Sequence, residues 1–428
     1  MTRIESARQG STTDEVKYVA ETEGVAAEVV RNRLASGKIV IPRNIGRDFL
    51  PVGIGKGLKT KVNANIGTSL SHNDMDGELK KLDVAVKAGA HAIMDLSTGE
   101  NRETVLLKIL EQSPVMIGTV PLYGAFARCI ETGGECADLS ADNIFAEIAA
   151  HGKAGVDFIT VHCGITRHSL EMLKKSDRLM GIVSRGGSLM AEWIVKNKAE
   201  NPLYEDFDRL IEIARTYDMT LSLGDGLRPG TIFDAEDRAQ VTELIILGDL
   251  TRRAVKAGVQ VIVEGPGHVP LHMIADDIKQ QKRLCNEAPY YVLGPLPTDT
   301  AAGHDHIAGA IGGAIAAANG ADFLCYVTPA EHLALPGLED VREGVMASRI
   351  AAHIGDLEKN NASAWQRDRL MSDARIQFDW KTMFEQAIDP EKARSIRNRS
   401  IDKDRDVCSM CGDLCALKTY KRATTDME

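Results

Sequence analysis

Short apolar or β-branched runs return along the chain at wide intervals: Lys61–Gly67, His91–Thr98, Val115–Tyr123, Asp157–Gly164, Leu179–Gly186, Met219–Gly226, Val259–Gly265, Tyr290–Leu296 and Asp322–Pro329. Their starts fall roughly 20–42 residues apart, with helix-period stretches such as Gly77–Ala90 and Ala235–Ala257 between them. Strands alternating with helices at that interval predict βα units and parallel strands. With eight or nine units and no Gly-rich dinucleotide fingerprint after the first strand, the pattern predicts a (β/α)8 barrel rather than a doubly wound sheet. From about Asp340 the strand signal stops, and helices are expected over Val341–Ile354 and Ala362–Ala387, followed by a charged approach over 391–406. The expected division is an N-terminal helical segment over 1–55, a barrel over 56–340 and a helical C-terminal segment over 341–428.

The predicted strands end in unusual residues. Asn65-Ile66-Gly67, Met94-Asp95-Leu96-Ser97, Pro121-Leu122-Tyr123 and His162-Cys163-Gly164 come first. Ser184-Arg185-Gly186-Gly187, Asp225-Gly226-Leu227-Arg228 and Glu264-Gly265-Pro266-Gly267-His268 follow. A barrel gathers strand ends on one rim, where such folds do their chemistry. Polar side chains at one strand end after another are hard to explain as packing.

Composition narrows the picture. The 428 residues carry 51 Lys+Arg against 61 Asp+Glu, a net charge of −10, which argues against a broad nucleic-acid surface. One small phosphorylated ligand, held by a few local donors, remains compatible with it. The N-terminus shows no apolar signal region, and no apolar run is long enough to span a bilayer, so a cytoplasmic, membrane-free protein is expected.

Three of the eight cysteines form Cys408-Ser-Met-Cys411-Gly-Asp-Leu-Cys415. Three thiolates at this spacing can wrap one corner of an iron–sulfur cluster, with Gly412 letting the chain turn its N–H groups toward sulfur. A [4Fe–4S] cluster held by three cysteines leaves one iron open, which radical enzymes use to bind S-adenosylmethionine. Zinc with a distant fourth ligand and structural thiols are the alternatives. Cys129, Cys136, Cys163, Cys285 and Cys325 read as ordinary thiols. His268 and His332 each follow a strand-like run and would meet on the same rim, where two imidazoles can bind zinc or another divalent ion. Glu264 is a candidate third ligand or a substrate contact. The Gly turns around Ser184–Gly186 and Asp225–Arg228 suit a phosphate, and the Asp suits a ribose diol. Structural Asp–Arg bridges are the competing explanation.

The motifs KVNANIG, IMDLSTG, GTVPLY, SRGGS, SLGDGLRPG, EGPGHVP, YVLGPL, CYVTPAEHL and CSMCGDLC stand in the order seen in the phosphomethylpyrimidine synthase family, which this chain resembles over roughly residues 38–418. The resemblance implies a radical S-adenosylmethionine carbon–carbon lyase, a (β/α)8 barrel, a C-terminal [4Fe–4S] segment and a homodimer. It also implies an electron donor of the flavodoxin or ferredoxin type and 5-aminoimidazole ribotide as substrate. By position, Asn65, Met94, Tyr123, His162, Ser184, Arg185, Gly186, Asp225, Gly226, Leu227, Arg228, Glu264 and Tyr291 are implied substrate contacts. His268 and His332 are implied ligands of a second metal, usually zinc, and Cys408, Cys411 and Cys415 are the implied cluster ligands.

Departures from the family pattern bear on the product. The family usually has Gln where Gly124 stands, Tyr where His304 stands and Gly where Ala334 stands, and its long form has four residues between the last two cysteines rather than three. Changes of volume and proton inventory beside the substrate can redirect a radical rearrangement. On that ground the paralog 5-hydroxybenzimidazole synthase, which serves anaerobic cobamide lower-ligand synthesis, is the expected activity. Phosphomethylpyrimidine formation for thiamine is the alternative, and a zinc-dependent barrel hydrolase or aldolase is more remote.

Overall fold

The structure is a computed structural model that describes residues 1–399 and 406–425. The chain divides into two compact units, Met1–Lys359 and Asn360–Glu428.

The first unit is built on a closed barrel of eight parallel strands. A small antiparallel pair, β1 (Ile39–Val40) and β2 (Ile54–Gly55), precedes it. The barrel strands are β3 (Lys61–Ile66), β4 (Ala92–Asp95), β5 (Met116–Thr119), β6 (Phe158–Val161), β7 (Thr220–Leu223), β8 (Val261–Gly265), β9 (Tyr290–Leu293) and β10 (Phe323–Cys325). They pair in chain order, and β10 closes onto β3 through Leu324 opposite Val62. Helices such as Met75–Ala88, Ala141–Ala154 and Arg238–Lys256 pack their apolar faces outside the barrel, so the expected (β/α)8 architecture is the one observed.

One predicted strand does not form. The stretch 179–184 is a loop leading into the helix Arg185–Asn197, and β6 pairs directly with β7. The backbone N–H groups of Leu179 and Met180 are taken by the Asp234 carboxylate at 2.6 and 3.0 Å, and both side chains are exposed. Its apolar pattern therefore imitates a strand without a ladder partner.

Residues before β3 form three short helices with a core of their own, including Ile4, Val19, Val30, Leu34 and Ile39. They close the N-terminal end of the barrel: Ile41 N donates to Gln260 Oε1 at 2.6 Å and Asn44 N to Asp157 Oδ1 at 2.8 Å. The helix Leu338–Glu358, which the sequence reading assigns to the C-terminal segment, packs on β3 and on the helices Met75–Ala88 and Asp305–Asn319.

The second unit contains the helices Ala362–Gln377, Trp380–Gln386, Pro390–Asn398 and Ala416–Thr425. Phe378 takes a left-handed φ of 60° and splits the long helix expected over 362–387. Trp380 Nε1 donates to Asp406 O at 2.7 Å, and Arg397 stacks on the Trp380 ring while donating to Val407 O at 3.3 Å. These contacts tie down the chain just before the cysteines. Residues 400–405 of the charged approach lie outside the described residues. No described helix is long and apolar enough to cross a membrane.

Candidate active site

The C-terminal strand ends enclose a cavity of about 350 Å³. Asn65, Met94, Tyr123, His162, Arg185, Asp225, Arg228, Glu264 and Tyr291 all line it. Ser184, Gly186, Gly226 and Leu227 do not line it; they stand behind the residues that do. The Ser184 hydroxyl accepts the Gly187 N–H at 3.1 Å and caps the helix Arg185–Asn197. A Cβ on Gly186 would fall inside the His162 ring, and one on Gly187 would strike Gly226 O, so both positions need glycine for close approach. The Gly186 N–H is turned toward the Tyr123 oxygen, and Arg185 lies over the Tyr123 ring at 5.0 Å. Leu227 is fully buried, and its N–H donates to Glu243 Oε2 at 2.7 Å.

The loop after β7 is held from behind. Arg178 forks onto Asp237 at 2.7 and 2.8 Å and donates to Leu227 O at 2.7 Å. This presents Asp225 and Arg228, themselves paired at 3.1 Å, to the cavity. Arg178 and Glu243 support the site without any motif that marks them in the sequence.

Burial sets the protonation states. It holds the His162 imidazole at about 3, with the Arg228 charge adding to the shift, so the ring is neutral at ordinary pH. Its Nδ1 is buried and has no hydrogen-bond partner among the described residues. Burial, then the neighbouring Asp225, push the Glu264 carboxyl up to about 7, and burial raises Asp225 as well. A cavity with a neutral imidazole, a carboxyl poised near neutrality and an Arg–Asp pair can bind a polar, phosphorylated ligand and move protons on it.

Thr160, Cys325 and Glu331 also line this cavity, and sequence reading did not single them out for the site. Cys325, read as an ordinary thiol, receives the Asn65 amide N–H at 3.2 Å. Thr160, Asn65 and Cys325 lie toward the C-terminal ends of their strands, and that register was the available signal.

An adjoining cavity of about 440 Å³ shares Asn65, Leu96, Arg185 and Glu331 and reaches His332. The His268 and His332 rings stand 5.3 Å apart. His268 Nδ1 is hydrogen-bonded to Asp299 Oδ1 at 2.7 Å, and His332 Nδ1 lies 3.5 Å from Asp305 Oδ2. The His268 imidazole thus has a carboxylate hydrogen-bonded at Nδ1, the arrangement that leaves Nε2 free as a ligand, whereas Asp305 Oδ2 makes no hydrogen bond among the described residues. Glu264 instead turns Oε1 to Thr160 and Ser222. Among the described residues, no three His, Cys, Asp or Glu side chains converge to hold an ion.

In the second unit, Gly412 turns the chain at φ 51°. The N–H groups of Cys411 and Met410 lower the Cys408 thiol below its ordinary value, so backbone donors already point at sulfur. Cys408 and Cys411 face each other within hydrogen-bonding reach, and Cys415 is buried. Thiols served by backbone donors in so short a segment fit an iron–sulfur ligand set.

The residues behind the product expectation sit elsewhere. Gly124 lines a separate cavity among the helices Arg102–Gln112, Pro121–Glu131 and Ala141–Ala154, where a Cβ would meet the Glu147 carboxylate. His304 is exposed and lines neither rim cavity, and Ala334 borders only the one that reaches His332. None of the three touches the cavity lined by His162 and Glu264.

Comparison with known proteins gives the family. The family model described as the Radical SAM ThiC family matches residues 2–422. A phosphomethylpyrimidine synthase of Thermodesulfovibrio yellowstonii is 56% identical over 424 residues, covering 99% of this chain and 100% of that one. One from Syntrophus aciditrophicus is 53% identical, covering 99% of each, and one from Desulforamulus reducens is 55% identical, covering 98% and 97%. Among solved structures, a dihydropteroate synthase of Coxiella burnetii is similar at a TM-score of 0.41 and 12% identity, over 70% of this chain and 94% of that one. These end-to-end relatives do not support the expectation of a 5-hydroxybenzimidazole synthase, which rested on residues outside the main cavity. The chain belongs to the radical SAM ThiC family, whose chemistry uses a [4Fe–4S] cluster and S-adenosylmethionine.

Proposed function

We propose that this protein is a carbon–carbon lyase that rearranges 5-aminoimidazole ribotide to 4-amino-2-methyl-5-phosphomethylpyrimidine, the thiamine pyrimidine. The observation that carries the reading is the rim cavity, with its neutral His162, its Glu264 and its Arg–Asp pair, in a chain whose full-length relatives bear the name phosphomethylpyrimidine synthase. The Arg185 guanidinium, at the capped N-terminus of its helix, holds the phosphate. Asp225 accepts from the ribose hydroxyls, and Arg228 keeps Asp225 oriented. Asn65, Met94 and Tyr291 enclose the base, with Tyr291 stacked on Phe323 at 4.4 Å between centroids. His162 and Glu264 hold and pass protons during the rearrangement.

Cys408, Cys411 and Cys415 would hold the [4Fe–4S] cluster, and His268 and His332 a divalent ion, with Asp299 fixing the His268 ring. When bound, the cluster and S-adenosylmethionine supply the 5′-deoxyadenosyl radical that starts the reaction. The reading carries with it a homodimer and a flavodoxin- or ferredoxin-type electron donor.

The test is anaerobic incubation of the reconstituted protein with the ribotide, S-adenosylmethionine and a reductant, followed by identification of the product by mass and ultraviolet spectrum. Phosphomethylpyrimidine is expected. Hydroxybenzimidazole, or a ribotide returned unchanged by a protein that cleaves S-adenosylmethionine, contradicts the proposal.

A further inference from the structure

Two hydroxyls inside the barrel share one target. Thr160 on β6 and Ser222 on β7 both donate to Oε1 of Glu264 on β8, at 2.7 and 2.5 Å. The strand period of two places all three side chains on the inner surface, and the parallel register sets Thr160 beside Ser222. Among the described residues no donor reaches Oε2, and Glu264 lies on the wall of the rim cavity. A glutamate's terminal torsion is soft, so one donor restrains it loosely. Two donors from two different strands on one oxygen fix both the plane of the carboxylate and which oxygen faces the cavity.

We infer that Thr160 and Ser222 are positioning residues for the substrate: they clamp one oxygen of Glu264 and turn the other toward the base of the bound ribotide, as an acceptor for its amino group. The inference rests on the ribotide reading above and adds to it the two residues that orient the acceptor. The surroundings support it. The titratable and charged groups around Glu264 are Asp225 and Arg228 from the loop after β7, Tyr123, Tyr291, Cys325 and Cys163, together with His162, Arg185 and Glu331, which line the same cavity. Burial and Asp225 work against ionisation of Glu264, whereas the two hydroxyls and Arg228 favour it. The clamp therefore offsets part of the burial that favours the protonated form, and orients the carboxylate as well.

The sign of the consequence follows. Binding that needs the ionised acceptor is complete above the Glu264 pKa and lost as pH falls through it. Removing the donors raises that pKa, so the loss begins at higher pH.

The experiment is calorimetric titration of the anaerobically purified full-length protein with the ribotide across the neutral range. It compares wild type, Thr160→Val, Ser222→Ala, the double variant and the hydroxyl-retaining Thr160→Ser, each checked for fold by circular dichroism. The acid limb of affinity is expected to move up by about one pH unit in the double variant, by less in each single variant, and hardly at all in Thr160→Ser. Weakening that is uniform across pH, or an unchanged profile, overturns the inference and leaves the ribotide reading in place. A wild-type protein that does not bind the ribotide overturns both.

Discussion

At the N-terminal end of the barrel, Lys61 meets Glu23 at 3.0 Å, and the Lys59 N–H reaches the other Glu23 oxygen at 2.7 Å. Asp157 accepts the Asn44 and Ile117 N–H groups, both at 2.8 Å, with Arg47 beside it at 3.6 Å. At the C-terminal end, His162 Nδ1 and Thr328 Oγ1 are buried without a hydrogen-bond partner among the described residues, and both residues border the rim cavities. The closed end has such atoms too, Arg47 Nε and Thr220 Oγ1 among them, but neither residue borders those cavities. A buried polar atom left unpaired costs about 1–3 kcal/mol, and at the rim a bound ligand can supply the missing partner.

Several changes can break or sharpen that contrast. The largest effect belongs to the cysteines: Cys408→Ala is expected to abolish turnover while circular dichroism stays that of the parent, and surviving activity would remove the cluster from the reaction. Next is the closed end. Glu23→Gln strands a buried ammonium and should cost roughly 3–5 kcal/mol of stability in denaturant titration, with ribotide affinity unchanged. Third, Asp299→Ala removes the carboxylate behind His268 and should weaken divalent-ion binding about 10–100-fold, read by competition with a chromogenic chelator.

A smaller effect concerns pH. Burial lifts Glu243 to about 8 and Glu264 to about 7, both above the ordinary carboxylate value. Between about pH 4 and 8 the folded state therefore holds protons that the unfolded chain has lost, and stability falls as pH rises. Glu243→Gln cannot ionise and should flatten that decline in thermal melts taken across the window; an unchanged slope would mean that Glu243 stays ionised in the fold. The smallest effect is on product identity. Gly124→Gln adds a side chain beside Glu147, outside the main cavity, and is expected to leave the product unchanged by mass spectrometry.

Much of this was legible in the chain. The period of apolar runs gave the barrel because a strand buried on both faces needs a continuous apolar stretch, and eight of the nine runs became strands. The ninth, Leu179–Gly186, failed because periodicity cannot see that Asp234 takes its backbone donors. Site residues at strand ends were readable because parallel register brings them to one rim, and His268 and His332 met as expected, 64 positions apart in the chain. Supporting groups were not readable. Glu243, Arg178, Asp299 and Ser222 act through contacts with loops or strands distant in sequence, and no local pattern marks them. Gly124 misled for the same reason: next to Tyr123 in sequence, it stands about 100° round the helix and borders a different cavity.

The contrast between the two ends is tested most directly by ribotide titration of the anaerobically purified wild type, Arg228→Ala and Glu23→Gln side by side. The account predicts that Arg228→Ala loses at least about tenfold in affinity, as expected for a charged partner removed from a buried pair, while Glu23→Gln binds like wild type at a temperature where it remains folded. Equal loss in both variants, or none in Arg228→Ala, would contradict it.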